Sequence, residues 1–239
     1  MSQSAPALVI FDCDGVLVDS ESISNDLLAR MLSDEGLPTT PAQSRREYQG
    51  LLLIDILTSA EARLGRALPE GWMDRYEQER SAAFRKGLRP VKGVAAAIEQ
   101  IREAGVSVCV ASQGKLEKTR LSLQLTGLDT LFEEEALFSA YQVLRGKPHP
   151  DLFLHAARTM GADPSKCVVI EDTPSGVQAA VAAGMRVLGF SADSDEQALR
   201  GAGAETFGAL DALPGLLGVG GRPSPADCPT NTDTWYGAV

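Results

Sequence analysis

The sequence predicts an α/β protein: a mostly parallel sheet covered by helices on both faces, with an all-helical insert after the first strand. Three observations predict it. Short runs of apolar, branched residues recur over 7–11, 106–111, 167–170 and 186–190, the signature of strands buried on both faces. Three times a helical stretch ends in Ala-Gly and gives way to an apolar run, at Ala104-Gly105, Ala183-Gly184 and Ala202-Gly203. Glycine just past a helix end supplies the left-handed cap, so this repeat marks helix-to-strand connections. Residues 20–88, by contrast, contain no strand-like run.

The elements follow in order. Residues 7–11 form the first strand. The segments 22–35, 41–47, 51–64 and 69–86 are amphipathic and polar-rich, punctuated by Gly36-Leu37-Pro38 and by 65–69, and read as helices. Arg89-Pro90 and Gly93 mark the return to the sheet. Helices are then expected over 94–104, 174–183 and 195–202, and strands over 106–111, 167–170, 186–190 and 204–207. Pro150 is expected at the first position of another helix. From Gly218 onward Gly, Pro, Ser and Thr dominate without periodicity, and residues 219–239 are expected to be a disordered tail.

Bulk properties narrow the function class. An apolar content of 44% and a charged content of 23% are ordinary for a globular enzyme. A formal charge of −10 argues against nucleic acid, which requires clustered Lys and Arg. No apolar run approaches the ~18 residues of a membrane span, and no signal peptide is expected. Cys13, Cys109, Cys167 and Cys228 show no CxxC spacing and are expected to be free thiols in the cytoplasm. A monomer is the default expectation. With His149 and His155 the only histidines, any metal should have oxygen ligands.

The chemistry concentrates at strand ends. Asp12 and Asp14 follow the first strand, Ser112 the second, and Glu171-Asp172 the run 167–170. In open α/β sheets ligands bind beyond the carboxyl ends of the strands, so these groups should share one crevice. Lys147, just before the helix at Pro150, offers a positive charge there. Hard carboxylate oxygens point to Mg²⁺, which takes one or two carboxylates plus substrate phosphate. A carboxylate ~4 Å from a phosphate dianion is repelled by roughly 8 kcal/mol at an effective dielectric of 20. Attack by Asp on phosphorus therefore needs a cation and a lysine.

The block Asp12-Cys13-Asp14-Gly15-Val16, then Ser112, Lys147 and Glu171-Asp172 in that order, resembles the four motifs of the haloacid dehalogenase superfamily. The insert is similar to the cap of its β-phosphoglucomutase-like and phosphatase branch. The resemblance covers about residues 7–217. It implies a Rossmann-like core over 1–18 and 89–218 with a helical cap over 19–88. It also implies Asp12 as nucleophile, Asp14 as general acid and base, Ser112 and Lys147 as phosphoryl stabilisers, and Mg²⁺ on Asp12, Asp172, Glu171 and the Asp14 backbone carbonyl. Gly15, Gln113 and Lys115 are expected to contact substrate, as are Tyr48, Gln49 and Gly50 in the cap. Asp14 argues against dehalogenation, which needs no leaving-group acid. The branch's mutases carry His where this chain has Ser24, and Arg where it has Leu53. Both departures favour hydrolysis of a small phosphorylated metabolite, a sugar phosphate or phosphorylated hydroxy acid, over a sugar phosphomutase. A phospho-accepting signalling domain shares Asp, Mg²⁺, hydroxyl and Lys, but not the second aspartate or the insert.

Overall fold

The computed structural model describes residues 5–219. The expected tail over 219–239, with Cys228 inside it, lies outside the described residues except for Val219, which packs against the core. Among the described residues six strands form one parallel sheet: β1 (Leu8–Phe11), β2 (Ser107–Ser112), β3 (Leu137–Ser139), β4 (Cys167–Glu171), β5 (Arg186–Phe190) and β6 (Glu205–Phe207). Their spatial order is β3-β2-β1-β4-β5-β6. The chain builds outward from β1 through β2 to β3, then returns to the other side of β1 with β4. The order thus reverses between β1 and β4, where an open α/β sheet forms its ligand crevice.

Helices α5 (Val94–Glu103), α6 (Leu116–Thr126), α7 (Asp151–Thr159), α8 (Pro174–Ala182), α9 (Glu196–Ala202) and the short α10 (Leu213–Leu216) cover the sheet. Strand residues alternate between two apolar clusters: Val9 and Phe11 enter one, Leu8 and Ile10 the other. This two-sided burial is why the strands read as unbroken apolar runs. Cys13 is fully buried in the first cluster.

Four helices fall between β1 and α5: α1 (Glu21–Asp34), α2 (Pro41–Tyr48), α3 (Leu53–Leu64) and α4 (Trp72–Gly87). They bury their own apolar cluster, including Leu28, Met31, Leu32, Tyr48, Ile56, Trp72 and Tyr76. The two chain crossings run side by side: Asp19 N–H donates to the Arg89 carbonyl and Val91 N–H to that of Leu17, each at 2.9 Å.

Three details differ from the sequence reading. The edge strand β3 has only three residues, between the acidic turn at Glu134–Ala136 and the turn at Ala140–Gln142, too short a run to register. Helix α6 carries little apolar periodicity. Pro150 caps α7 rather than occupying its first position.

Candidate active site

The ends of β1 and β4 deliver the acidic groups of the crevice between them. Asp12 leaves β1 with its N–H bonded to the Ile170 carbonyl at 2.9 Å, which holds it beside the end of β4. There Glu171 ends the strand and Asp172 follows, before Thr173 caps α8 by accepting from the Gly176 N–H at 3.2 Å. Lys147 reaches in from the loop before α7. Its Nζ donates to Asp12 Oδ1 at 2.5 Å and to Glu171 Oε1 at 2.6 Å, and all three side chains are buried. Gln113 fixes the lysine's backbone, accepting from its N–H at 3.0 Å and donating to its carbonyl at 3.3 Å.

Glu171 is the hub of this arrangement. Its Oε2 accepts from the Asp172 N–H at 2.9 Å, the Thr173 N–H at 2.8 Å and the Thr173 hydroxyl at 2.9 Å, while Oε1 takes the lysine. Gly176 faces this carboxylate, and any Cβ there would collide with it. Both Glu171 oxygens are therefore occupied by the protein itself.

Electrostatics separate the acids. Burial raises the Asp12 carboxyl to about 7; Lys147 opposes this, while Glu171 and Asp14 add to it. Burial, then Glu171, Asp12 and Glu21, also push Asp172 well above the ordinary range. Burial lowers the proton affinity of Lys147, but Asp12 and Glu171 outweigh it and hold the lysine above its usual range. Asp14 goes the other way. Burial pushes it up, yet an ion pair with Lys118 and a hydrogen bond from the Ser20 hydroxyl bring it below the ordinary carboxylate value.

The acid cluster fits a hard cation. Asp12, Glu171 and Asp172 can each bring an oxygen within 4.8 Å of the others. Asp172 Oδ1 is buried with no hydrogen-bond partner, and Oδ2 has only long contacts, 3.4 Å each, from Gln49 and Ser194. A buried, unpaired carboxylate oxygen is costly unless a cation meets it. Glu171 is the most heavily bonded of the three, so Asp12 and Asp172 have the most capacity left for a cation. Asp14 has only its backbone to offer, since its side chain is taken by Lys118 and Ser20.

A cavity of about 140 Å³ lies between the strand ends and the insert. Asp12, Asp14, Lys147, Tyr48, Gln49, Gly50, Gln113 and Lys115 all line it, as do Ser24 and Leu53. Gly50 has φ +77°, and a Cβ there would come within 2.9 Å of Ser175 Oγ, so glycine lets the insert's loop approach α8. Tyr48 is mostly sunk in the insert's apolar cluster, its hydroxyl accepting from Arg63 at 2.8 Å. Lys115 is paired with Glu77 of α4 at 2.7 Å. Ser112 is fully buried at the end of β2, its Oγ accepting from the Gly114 N–H at 3.0 Å, and it stands behind the residues that face the cavity. Gly15 borders a second cavity on the far side of Asp172, where its missing Cβ makes room for that carboxylate. His149 is exposed on its loop.

Sequence reasoning missed two groups on the cavity wall, Lys118 and Arg80. Lys118 sits one turn beyond Lys115 on α6, and that spacing from the strand end was its only available signal. It is nearly buried and bonds an aspartate 104 residues away.

A switch-point crevice with clustered carboxylates and a clamped lysine defines a doubly wound α/β enzyme. The model of the haloacid dehalogenase-like hydrolases matches residues 9–190. The chain is 31% identical to the 6-phosphogluconate phosphatase of Escherichia coli (strain K12), over 87% of this chain and 93% of that one. It is 30% identical to hexitol phosphatase A of the same organism, over 78% and 83%. A solved hydrolase of the family from Deinococcus radiodurans R1, with bound phosphate and sodium, superposes with a TM-score of 0.73 at 30% identity, covering 91% of this chain and 98% of that one. The chain belongs to the haloacid dehalogenase-like hydrolase family and is an enzyme of its phosphatase branch.

Proposed function

We propose that the chain is a Mg²⁺-dependent phosphatase that cleaves a small phosphate monoester, a sugar phosphate or phosphorylated hydroxy acid, through an aspartyl-phosphate on Asp12. The observation that carries this reading is the division of the two aspartates. Asp12 is clamped by Lys147 at the sheet's switch point, while Asp14 stands two residues on in a separate bonding network.

An Asp12 carboxylate oxygen bonds to phosphorus as the bond from phosphorus to the ester oxygen breaks, and Asp14 gives that oxygen a proton. Asp14 then takes a proton from water, the water oxygen bonds to phosphorus, and the Asp12–phosphorus bond breaks to release phosphate. At rest Lys118 and Ser20 keep Asp14 ionised. A dianionic substrate beside it raises its proton affinity, which lets it act as an acid. Lys147 stays charged throughout and faces the charge that develops on the phosphoryl oxygens. Mg²⁺, when bound by Asp12, Asp172 and the Asp14 carbonyl, neutralises phosphoryl charge. Glu171 acts by holding Lys147 and the Asp172 backbone.

Residues 19–88 form the cap, and Tyr48, Gln49 and Gly50 present its substrate loop. The positions that carry His and Arg in the branch's mutases are Ser24 and Leu53 on this cavity wall, so neither supplies a cation for a second phosphate. That favours hydrolysis over phosphoryl return to a sugar. Cys13, Cys109 and Cys167 are buried free thiols, in keeping with a reducing, cytoplasmic setting. No described helix is long and apolar enough to cross a membrane.

Asp14→Asn tests the mechanism. Its kcat/KM should fall at least about 10²-fold on an alkyl phosphate, and far less on p-nitrophenyl phosphate, whose leaving group needs no proton. Equal losses on both would contradict the assignment. Metal binding has its own readout. Mg²⁺ at about 100 times its Kd should stabilise the fold by about 2.7 kcal/mol, a rise of roughly 5–10 °C in Tm. Asp172→Asn should lack that rise.

A further inference from the structure

Four basic side chains line the active-site cavity, and three are spent on acids of the protein. Lys147 is paired with Asp12 and Glu171, Lys118 with Asp14, and Lys115 with Glu77. The fourth, Arg80 of α4, has no ion-pair partner among the described residues, and its Nε is buried without a hydrogen-bond partner. Nε is sealed but the residue as a whole is only partly buried and lines the cavity, so its remaining N–H donors and its charge are open to an anion there.

Arg80 is also held in place. Trp72, Tyr76 and Arg80 are spaced by four and share one face of α4. The Trp72 and Tyr76 rings stack at 5.8 Å with 3° between their planes, and the guanidinium lies 5.2 Å from the Tyr76 ring. Held over the ring in this way, the guanidinium has a fixed position and more N–H donors than Tyr76 alone can occupy. Arg80 reaches the cavity from the insert, opposite the strand ends where Asp12 and Lys147 would hold the phosphate. It therefore faces the organic part of the ester. The rest of the wall on that side is apolar at Leu28, Leu53 and Ile56 and polar at Ser24, Asn25 and Gln49, and Arg80 is the one basic residue that the insert contributes to it.

We propose that Arg80 binds a carboxylate carried by the substrate, so that this site prefers a phosphorylated hydroxy acid over a neutral sugar or sugar-alcohol phosphate of the same length. The assignment rests on the phosphatase reading of the same cavity. A guanidinium fork matches a carboxylate through two parallel hydrogen bonds. One unpaired cation also matches one negative charge, not the two of a second phosphate.

The experiment compares 6-phosphogluconate with a hexitol 6-phosphate. Arg80→Gln should lower the ratio of their kcat/KM values, acid over hexitol, by at least about 30-fold, chiefly through KM for the acid. Arg80→Lys, which keeps the charge and loses the fork, should recover part of it. The same contrast is measured without turnover, by calorimetric binding of both esters to Asp12→Asn protein with and without Arg80→Gln. An unchanged ratio, equal losses on both esters, or no binding of the acid by Asp12→Asn protein overturns the assignment. If the binding contrast holds while the wild type hydrolyses neither ester, the phosphatase reading fails and the Arg80 assignment stands. Circular dichroism of each variant separates a lost contact from a lost fold.

Discussion

Asp12→Asn should abolish turnover, lowering kcat at least about 10⁴-fold, while leaving the fold intact and no less heat-stable in the absence of metal. The loss of activity follows from removing the atom that attacks phosphorus; deleting a catalytic nucleophile costs that much or more in well-studied hydrolases. The stability expectation follows from the environment of Asp12. Burial first, then Glu171 and Asp14, raise its carboxyl to about 7, with Lys147 pulling the other way. In the unfolded chain the group titrates near 3.8. Between those values the folded state holds the proton more tightly, so stability falls as pH rises from about 4 to 7. Above pH 7 an ionised Asp12 opposes folding in the metal-free protein, and asparagine removes that opposition. Kinetics with a phosphate-release assay and a thermal melt on the same sample check both halves. A variant that melts earlier would mean Asp12 is chiefly structural.

Lys147→Met is expected to have the opposite profile, with stability and activity both lost. The lysine is the cation that meets Asp12 and Glu171 at 2.5 and 2.6 Å. Its removal leaves two buried carboxylates facing each other, and breaking a buried pair in this way costs about 3–5 kcal/mol. The sign with pH is fixed. Without the lysine Asp12 binds its proton more tightly still, so the deficit grows as pH rises above about 7, where Asp12 ionises in the intact protein. It shrinks as pH falls and protons replace the missing charge. Activity should drop a further 10²–10³-fold through the lost stabilisation of phosphoryl charge, on the scale seen when one such donor is removed. Urea titrations at pH 5.5 and pH 8 give the test: a deficit independent of pH would mean the lysine contributes packing, not charge.

The parts legible in the sequence are those whose signal is local. Strand β1 and the two aspartates after it are contiguous, so an apolar run ending in acid shows both element and site. Glu171-Asp172 and Ser112 could be placed because parallel strands put their carboxyl ends on one edge, wherever they fall in the chain. Lys118 and Arg80 were illegible for the converse reason. Each lies on a helix among polar neighbours, where a basic residue ordinarily faces water. What turns them inward is the seating of the insert against the core, and no short window of sequence encodes that. Lys115 shows the same limit: its position beside the strand end was readable, but its pairing with Glu77 was not. The bonding of Glu171 was equally hidden, since it depends on the absent side chain of Gly176 and the backbone of its own neighbours.

The account stands or falls on a covalent phosphoryl group at Asp12. Asp14→Asn protein mixed with p-nitrophenyl phosphate and Mg²⁺ should release nitrophenol in a burst of one equivalent per active site, because the first step needs no acid and the second lacks its base. Acid quenching at the end of the burst, followed by peptide mass analysis, should find one phosphoryl group on the peptide carrying Asp12, and none in the Asp12→Asn, Asp14→Asn double variant. Steady release with no burst, or a phosphoryl group on any other residue, would contradict it.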